Sequence, residues 1–314
     1  MIKPLAPIVT FVYSRPEHTK KMIESLAKNK LAKDSEVWIF SDAAKKETAA
    51  EKVKNVREYI HSIEEKQYFK KLHIIEAQKN KGLANSVIAG VGEVINKYGK
   101  AIVVEDDLIV TDNFIEYMNE ALNFYENDKR IWSISGYNLP IKIPKNYLSD
   151  VYLGYRGCSW GWATWADRWN IVDWEVKDYE IFKNDRKKRK KLNRGGKDMA
   201  QMLDMQMSGL IDSWAIRWCY EQSKREMYTI YPTKSLVYNG GLDGTGTHSG
   251  TNNEFSVELS NEKRNFIENI QLDNRIVKNF KKMYKIGWKG TLKAILLSLG
   301  LKGVVEFART RKRS

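Results

Sequence analysis

Apolar and polar positions alternate in blocks along the first third of the chain. PIVTFVY (residues 7–13), EVWIFSD (36–42), LHIIEA (72–77) and AIVVEDD (101–107) are short apolar runs, rich in β-branched and aromatic residues, that end in polar ones. Runs of this length, apolar at nearly every position, predict strands buried on both faces. Between them the spacing is helical. Pro16 and Glu17 open a stretch that continues through MIESLAK, a charged stretch covers 45–66, and ANSVIAGVGEVINKY (84–98) follows the break at Asn80, Lys81 and Gly82. The alternation predicts an α/β fold: a Rossmann-like, mostly parallel sheet with helices on both faces, whose ligands gather outside the carboxyl ends of the strands. Those ends carry Ser14-Arg15, Ser41-Asp42, the turn over 79–82 and Glu105-Asp106-Asp107, so cations and acids should share one rim.

Beyond residue 130 the pattern is less regular. RGCSWGWATWADRW (156–169) holds four tryptophans, a helical stretch over about 196–225 contains LIDSWAIRWCYEQ, and YPTKSLVYNGGLDGTGTHSG (231–250) reads as a short strand and a Gly-rich loop. No internal repeat occurs. In the last thirty residues Lys289, Lys293 and Lys302 interrupt the apolar positions. That spacing predicts an amphipathic helix lying at a membrane interface rather than a span, with an ordinary helix packed on the domain as the alternative. The expected division is one domain over 1–260, in two halves of 1–110 and 111–260, and a helical, basic, amphipathic C-terminal extension over 261–314.

Composition narrows the class. A chain of 314 residues with 29% charged and 42% hydrophobic positions is globular, and its length suits one large α/β domain with an appendage. Cys158 and Cys219 form neither a metal-ligand spacing nor a disulfide framework, which points to a reducing, cytoplasmic compartment. The first residues lack a leader pattern, and no run reaches the roughly 20 apolar residues a spanning helix needs. The net charge of +14 is concentrated in KNDRKKRKKLNR (183–194) and ARTRKRS (308–314). Such runs are either solvated faces or surfaces for anionic lipid, phosphorylated substrate or nucleic acid. A nucleic-acid face interleaves basic and aromatic residues, whereas here the aromatics cluster at 156–174, apart from the densest charge, so no nucleic acid is expected. Neither a dinucleotide fingerprint nor a P-loop is present.

The acidic triplet carries the chemistry. Three adjacent carboxylates repel unless something neutralises them, and hard oxygen ligands suit Mn²⁺ or Mg²⁺. A metal held by one or two carboxylates keeps positions open for the phosphates of a nucleoside diphosphate. The plain alternative is a strand that ends in a solvated acidic turn. The tryptophans likewise suit either a carbohydrate platform or core packing.

TFVYSRPEHT, FSDAA, KGLANSVIAG and VVEDDLIVTDNF, in that order, resemble the nucleotide-sugar half of a GT-A glycosyltransferase of the family 2 type. The pattern is most similar to the inverting N-acetylglucosaminyltransferase I family, with GCSWGWATWADRW and LIDSW extending the likeness over roughly 7–250. The resemblance implies a metal-dependent transfer from a nucleotide-sugar donor, a UDP-sugar, to a glycan or lipid-linked glycan acceptor. It implies that Arg15 contacts the diphosphate, Asp42 the uracil, and that Lys81 belongs to the donor-binding set. Asp107 would bind the metal, Glu105 and Asp106 would orient sugar, ribose or metal-bound water, and Asp212 would be the general base. His248 and Ser249 fall where the family has a loop that closes over the diphosphate. For His248, phosphate contact, metal ligation and a plain loop histidine all remain open. For Asp212, read from the residues alone, a helix N-cap is the alternative. FSDAA lacks the glycine often seen after this aspartate, and the tail after residue 260 matches nothing in the family. The setting implied is bacterial surface-polysaccharide synthesis at the inner face of the cell membrane, with the basic tail against anionic lipid. A metal-dependent nucleotidyltransferase, which would release pyrophosphate, is the competing enzyme reading, and a basic nucleic-acid-binding protein the non-enzymatic one.

Overall fold

The computed structural model describes residues 3–243 and 253–284. Strands form where the apolar runs predict them: β1 (Ile8–Val12), β2 (Glu36–Ser41), β3 (Lys71–Glu76) and β4 (Lys100–Glu105). Six more follow: β5 (Leu108–Val110), β6 (Ile131–Ser135), β7 (Val151–Gly154), β8 (Trp162–Trp165), β9 (Tyr228–Pro232) and β10 (Val237–Asn239). Eight of them make one sheet in the order β3-β2-β1-β4-β8-β6-β9-β7, and β5 pairs with β10 in a separate ribbon. In the large sheet only β7 and β8 run against the other six.

Alternation along each strand explains why helices cover both faces. Ile8, Val12, Val37, Ile39, Ile102 and Val104 share a core with Met22, Ile23 and Leu26 of the helix Pro16–Ala27 and with Val56 and Ile60 of the helix Ala50–Ser62. Their strand neighbours Val9, Phe11, Trp38, Ala101 and Val103 face the opposite way, onto Ala84, Val87, Val91, Val94 and Ile95 of the helix Leu83–Tyr98. Helix and sheet approach closely there. A Cβ at Gly90 would lie 2.8 Å from the Phe11 ring, which stacks on Phe40. The third strand is an edge and is only half buried, with His73 stacked on Trp38 at 4.0 Å and bonded to Glu36 at 3.1 Å.

The tryptophan segment is core. Trp162 and Trp169 join Trp132, Trp174, Trp214 and Trp218 in a continuous stack with neighbouring ring centroids 4.3–5.6 Å apart. Trp165 is buried on the other face, its Nε1 donating to the Leu122 carbonyl at 3.2 Å. Of the four tryptophans in 156–169, only Trp160 keeps part of its surface accessible, edge-on to Tyr137 at 4.7 Å. Carbohydrate stacking is thereby excluded for the three buried rings.

The helical stretch over 196–225 is two helices, Met199–Met207 and Trp214–Lys224. Gly209, with φ of +72°, ends the first: this left-handed conformation closes a helix and lets the Leu210 N–H bond back to the Met205 carbonyl at 2.9 Å. Part of the basic run is structural as well. It forms the helix Arg186–Leu192, in which Arg189 grips Asp204 through two hydrogen bonds of 2.8 and 2.6 Å. Residues after 260 join the main core: Arg264 is buried, and the helix Asn274–Met283 inserts Ile276 and Phe280, the latter edge-on to Tyr231. Among the described residues no helix is long and apolar enough to cross a membrane.

Candidate active site

The register of β1 and β4 assembles the rim. Phe11 lies beside Glu105 in the parallel ladder, so Arg15, just beyond the end of β1, reaches the two aspartates that follow β4. The Arg15 guanidinium donates from Nη1 to Asp107 Oδ2 at 3.0 Å, from Nε to Asp106 Oδ2 at 3.4 Å, and from Nη2 to Asp106 Oδ1. Sequence places these residues 91 and 92 positions apart, and the fold makes them an ion-pair cluster. This internal partner of Arg15 is absent from the sequence-level expectation.

Electrostatics of the triplet follow from crowding in a dry place. Burial, then repulsion from Asp107 and Asp106, pushes the Glu105 carboxyl up to about 8. Burial likewise raises Asp106 to about 6, although Arg15 opposes it and His18, one turn into the following helix, adds a further opposing field. Burial works against the Arg15 charge too, but the two aspartates outweigh it and hold its pKa above the ordinary value.

Asp107 is the acid best placed for a metal. Its Oδ2 is taken by Arg15, while Oδ1 is buried and has no hydrogen-bond partner among the described residues. An orphaned carboxylate oxygen of this kind calls for a cation or a donor. No group of three or more potential metal-ligating side chains exists among the described residues. The donor set therefore fits a hard divalent ion held by one carboxylate and completed by phosphate and water oxygens, and does not fit an all-protein cage.

The Gly-rich segment starts against the same carboxylate. Because β10 pairs with β5, the Gly240 N–H donates to the Asp107 carbonyl at 2.8 Å, and Gly241 rests on the Asp107 side chain so closely that any Cβ would collide with it. The chain leads from there toward His248 and Ser249, which lie outside the described residues.

Asp42 shapes a neighbouring part of the rim. Its carboxylate accepts from the backbone N–H groups of Ala43 (2.9 Å), Lys81 (2.9 Å) and Gly82 (3.0 Å), and from Asn80 Nδ2 (2.9 Å). It thus holds the turn that feeds the helix Leu83–Tyr98, with Gly82 at φ of +77° and the Lys81 side chain exposed. Asn80, which also donates to the Ala43 carbonyl at 2.7 Å, is a member of this network that the sequence reading does not single out. Its place beside Lys81-Gly82 in a turn was the available signal.

Asp212 comes to the same turn. A Cβ on Gly82 would stand 3.6 Å from Asp212 Oδ2. The N-cap of the helix Trp214–Lys224 is Ser213, whose hydroxyl accepts from the Ile216 N–H at 3.3 Å. Asp212 therefore does not cap the helix, and its side chain is 61% exposed with Arg217 3.9 Å away. The Ser213 N–H donates to Gln206 Oε1 at 2.6 Å and the Ser213 carbonyl accepts from Arg217 Nε at 3.2 Å, which fixes the backbone that carries the carboxylate.

A sheet of this order, with Arg15 after β1, Asp42 after β2 and the acidic cluster after β4, has the arrangement of a GT-A fold, and the family match places the chain in the glycosyltransferase class. The GNT-I family profile matches residues 1–196, and the chain belongs to that family. The matched span contains Arg15, Asp42, Lys81 and the acidic triplet and stops before Asp212. Solved structures with a similar course of chain include Staphylococcus aureus TarS 1–349, with 11% identity over 75% of this chain and 60% of that one, at a TM-score of 0.44. GalNAc-T7 with UDP, GalNAc and Mn²⁺ covers 74% of this chain and 43% of its own at 10% identity and a TM-score of 0.44. The mannosyltransferase PcManGT from Pyrobaculum calidifontis, in complex with GDP-Man and Mn²⁺, covers 53% and 46% at 11% identity and a TM-score of 0.37. The match spans less than two thirds of each of these structures' own length. No curated protein sequence matches the chain.

Proposed function

We propose that the protein is a metal-dependent, inverting glycosyltransferase that moves a sugar from a UDP-sugar to a glycan or lipid-linked glycan. The observation that carries this reading is the unpartnered, buried Oδ1 of Asp107 beside Arg15, in a chain of the GNT-I family. Asp107 would hold Mn²⁺ or Mg²⁺. When bound, the cation would offset the charge that develops on the departing diphosphate. Asp42, which orders the turn over 80–82, contacts the uracil, with Lys81 at the turn's exposed corner. Glu105 and Asp106 face the sugar and ribose, and Arg15 binds the diphosphate.

Asp212 acts as the base. The acceptor oxygen attacks the anomeric carbon as Asp212 takes its proton, the bond from that carbon to the phosphate oxygen breaks, and the nucleoside diphosphate leaves. An exposed carboxylate on a fixed backbone, free of capping duty, suits this task. Asp212→Asn tests it: turnover of UDP-sugar should fall about 10²–10⁴-fold while affinity for UDP with Mn²⁺ stays within about twofold of wild type. Unchanged turnover would remove Asp212 from the chemistry.

The basic C-terminus would place the enzyme on anionic lipid at the inner face of a bacterial membrane, where lipid-linked acceptors lie. Vesicles containing phosphatidylglycerol should float the full chain and leave behind a chain ending at residue 284. Equal flotation of both would refute the tail's role.

A further inference from the structure

The acidic cluster already holds a cation, and that cation is a side chain. Arg15 spans both aspartates, with Nη1 3.0 Å from Asp107 Oδ2 and its other nitrogens on Asp106. The arrangement is not a surface ion pair: the side chains are 25% (Arg15), 7% (Asp106) and 13% (Asp107) exposed. In such a setting charge-assisted hydrogen bonds are strong, and a charge left without a partner is costly. A dication settling on Asp107 would meet a fixed positive charge on the same carboxylate. Like charges at that distance, shielded from water, disfavour joint occupancy. Arg15 can yield only if another anion receives it, because its guanidinium is itself largely buried.

We infer that Arg15 is a stand-in for the metal. In the donor-free protein it neutralises Asp106 and Asp107, and it passes to the diphosphate when metal and nucleotide arrive together. The inference rests on the reading of Asp107 as the metal ligand. Metal alone, arriving at the free Oδ1 of Asp107, meets the Arg15 charge on Oδ2 and is relieved of it only by expelling Arg15 without a partner. A nucleoside diphosphate alone meets the carboxylates with Arg15 still engaged. Together they exchange partners: the metal takes the carboxylate, and the phosphates take both the metal and the guanidinium. Each ligand therefore raises the affinity for the other by the same factor. The chain immediately after Arg15 is held by Pro16 at the start of its helix, so the exchange needs only the side chain to swing.

The test follows binding of Mn²⁺ to the full-length, metal-free protein from the electron paramagnetic resonance signal of the free ion, with and without UDP. Wild type, Arg15→Met and Arg15→Lys are compared. Arg15→Met should bind Mn²⁺ alone about tenfold or more tighter than wild type, the effect of losing one charge-assisted competitor. In that variant UDP should enhance Mn²⁺ binding far less than in wild type. Arg15→Lys keeps the charge but cannot bridge both aspartates, so it should lie between the two, and it serves if Arg15→Met folds poorly. If wild type binds Mn²⁺ with UDP, yet neither variant binds Mn²⁺ alone more tightly, Arg15 is a static tie and the inference fails. If wild type binds no Mn²⁺ even with UDP, the metal-dependent function falls and the inference with it.

Discussion

Single residues at the rim show where one-dimensional reading succeeds and where it stops. The acidic triplet is legible as a strand end, where a solvated turn and a ligand rim read alike, and the fold does put Glu105, Asp106 and Asp107 there. That Arg15 shares their rim is legible from the parallel sheet, but that it pairs directly with Asp106 and Asp107 is set by the β1–β4 register. The role of Ser213 as cap is equally invisible, because Asp and Ser are both favoured caps and only backbone geometry separates them. Crowding of buried acids has a measurable consequence. Glu105 titrates near 8 when folded against an ordinary 4.5, and Asp106 near 6 against 3.8. Both folded values are raised, so the folded state holds protons that the unfolded chain has released, and stability falls as pH climbs from about 4 to about 8. In metal-free buffer, Glu105→Gln removes the larger of these ionisations. The variant should melt near the wild type at pH 5 and a few degrees above it at pH 9. A constant difference at both pH values would show that Glu105 is not held protonated.

Elements are legible where period decides them. The four N-terminal strands sit within a residue or two of their predicted ends because an apolar run with turns on both sides leaves little choice. A short strand expected within 231–250 is β10, whereas other later strands escape for a physical reason: β5 and β8 are three or four residues long and gain their pairing from distant partners. The tryptophans were ambiguous for a different reason, since an aromatic ring serves a core and a sugar equally well and sequence does not show which side is wet. Helix Leu83–Tyr98 allows a paired test of how tightly an element must seat for its N-terminal turn to hold position. Gly→Ala ordinarily favours a helix by about 1 kcal/mol. At Gly92 a Cβ would meet Trp169 Nε1 at 3.7 Å, an ordinary contact, so Gly92→Ala should be neutral or stabilising. At Gly90 the Cβ would lie 2.8 Å from the Phe11 ring, and overpacking by about 1–3 kcal/mol should outweigh the helical gain. Gly90→Ala should therefore lower the urea midpoint. If both variants shift in the same direction by the same amount, the close approach of helix and sheet at Gly90 is wrong.

At the scale of the whole molecule, the fold brings residues from five separate stretches of chain to one rim. The alternation of strands and helices in the first 110 residues anticipates four of them, because in a parallel α/β sheet all carboxyl ends face one way. The fifth, Asp212, reaches the turn at Gly82 through tertiary packing of the helix Trp214–Lys224, whose tryptophans anchor it in the aromatic core. The family match covers 1–196, which includes Arg15, Asp42, Lys81 and the acidic triplet, whereas the base proposed at Asp212 lies beyond it and rests on geometry alone. The central claim is that Asp107 holds a divalent ion against a nucleoside diphosphate, and calorimetric titration tests it most directly. UDP, GDP and CDP would each be titrated into wild type and Asp107→Ala, with Mn²⁺ and with chelator. The account predicts Mn²⁺-dependent binding of UDP that Asp107→Ala abolishes, whereas binding that is unchanged by chelator or by the substitution would contradict it.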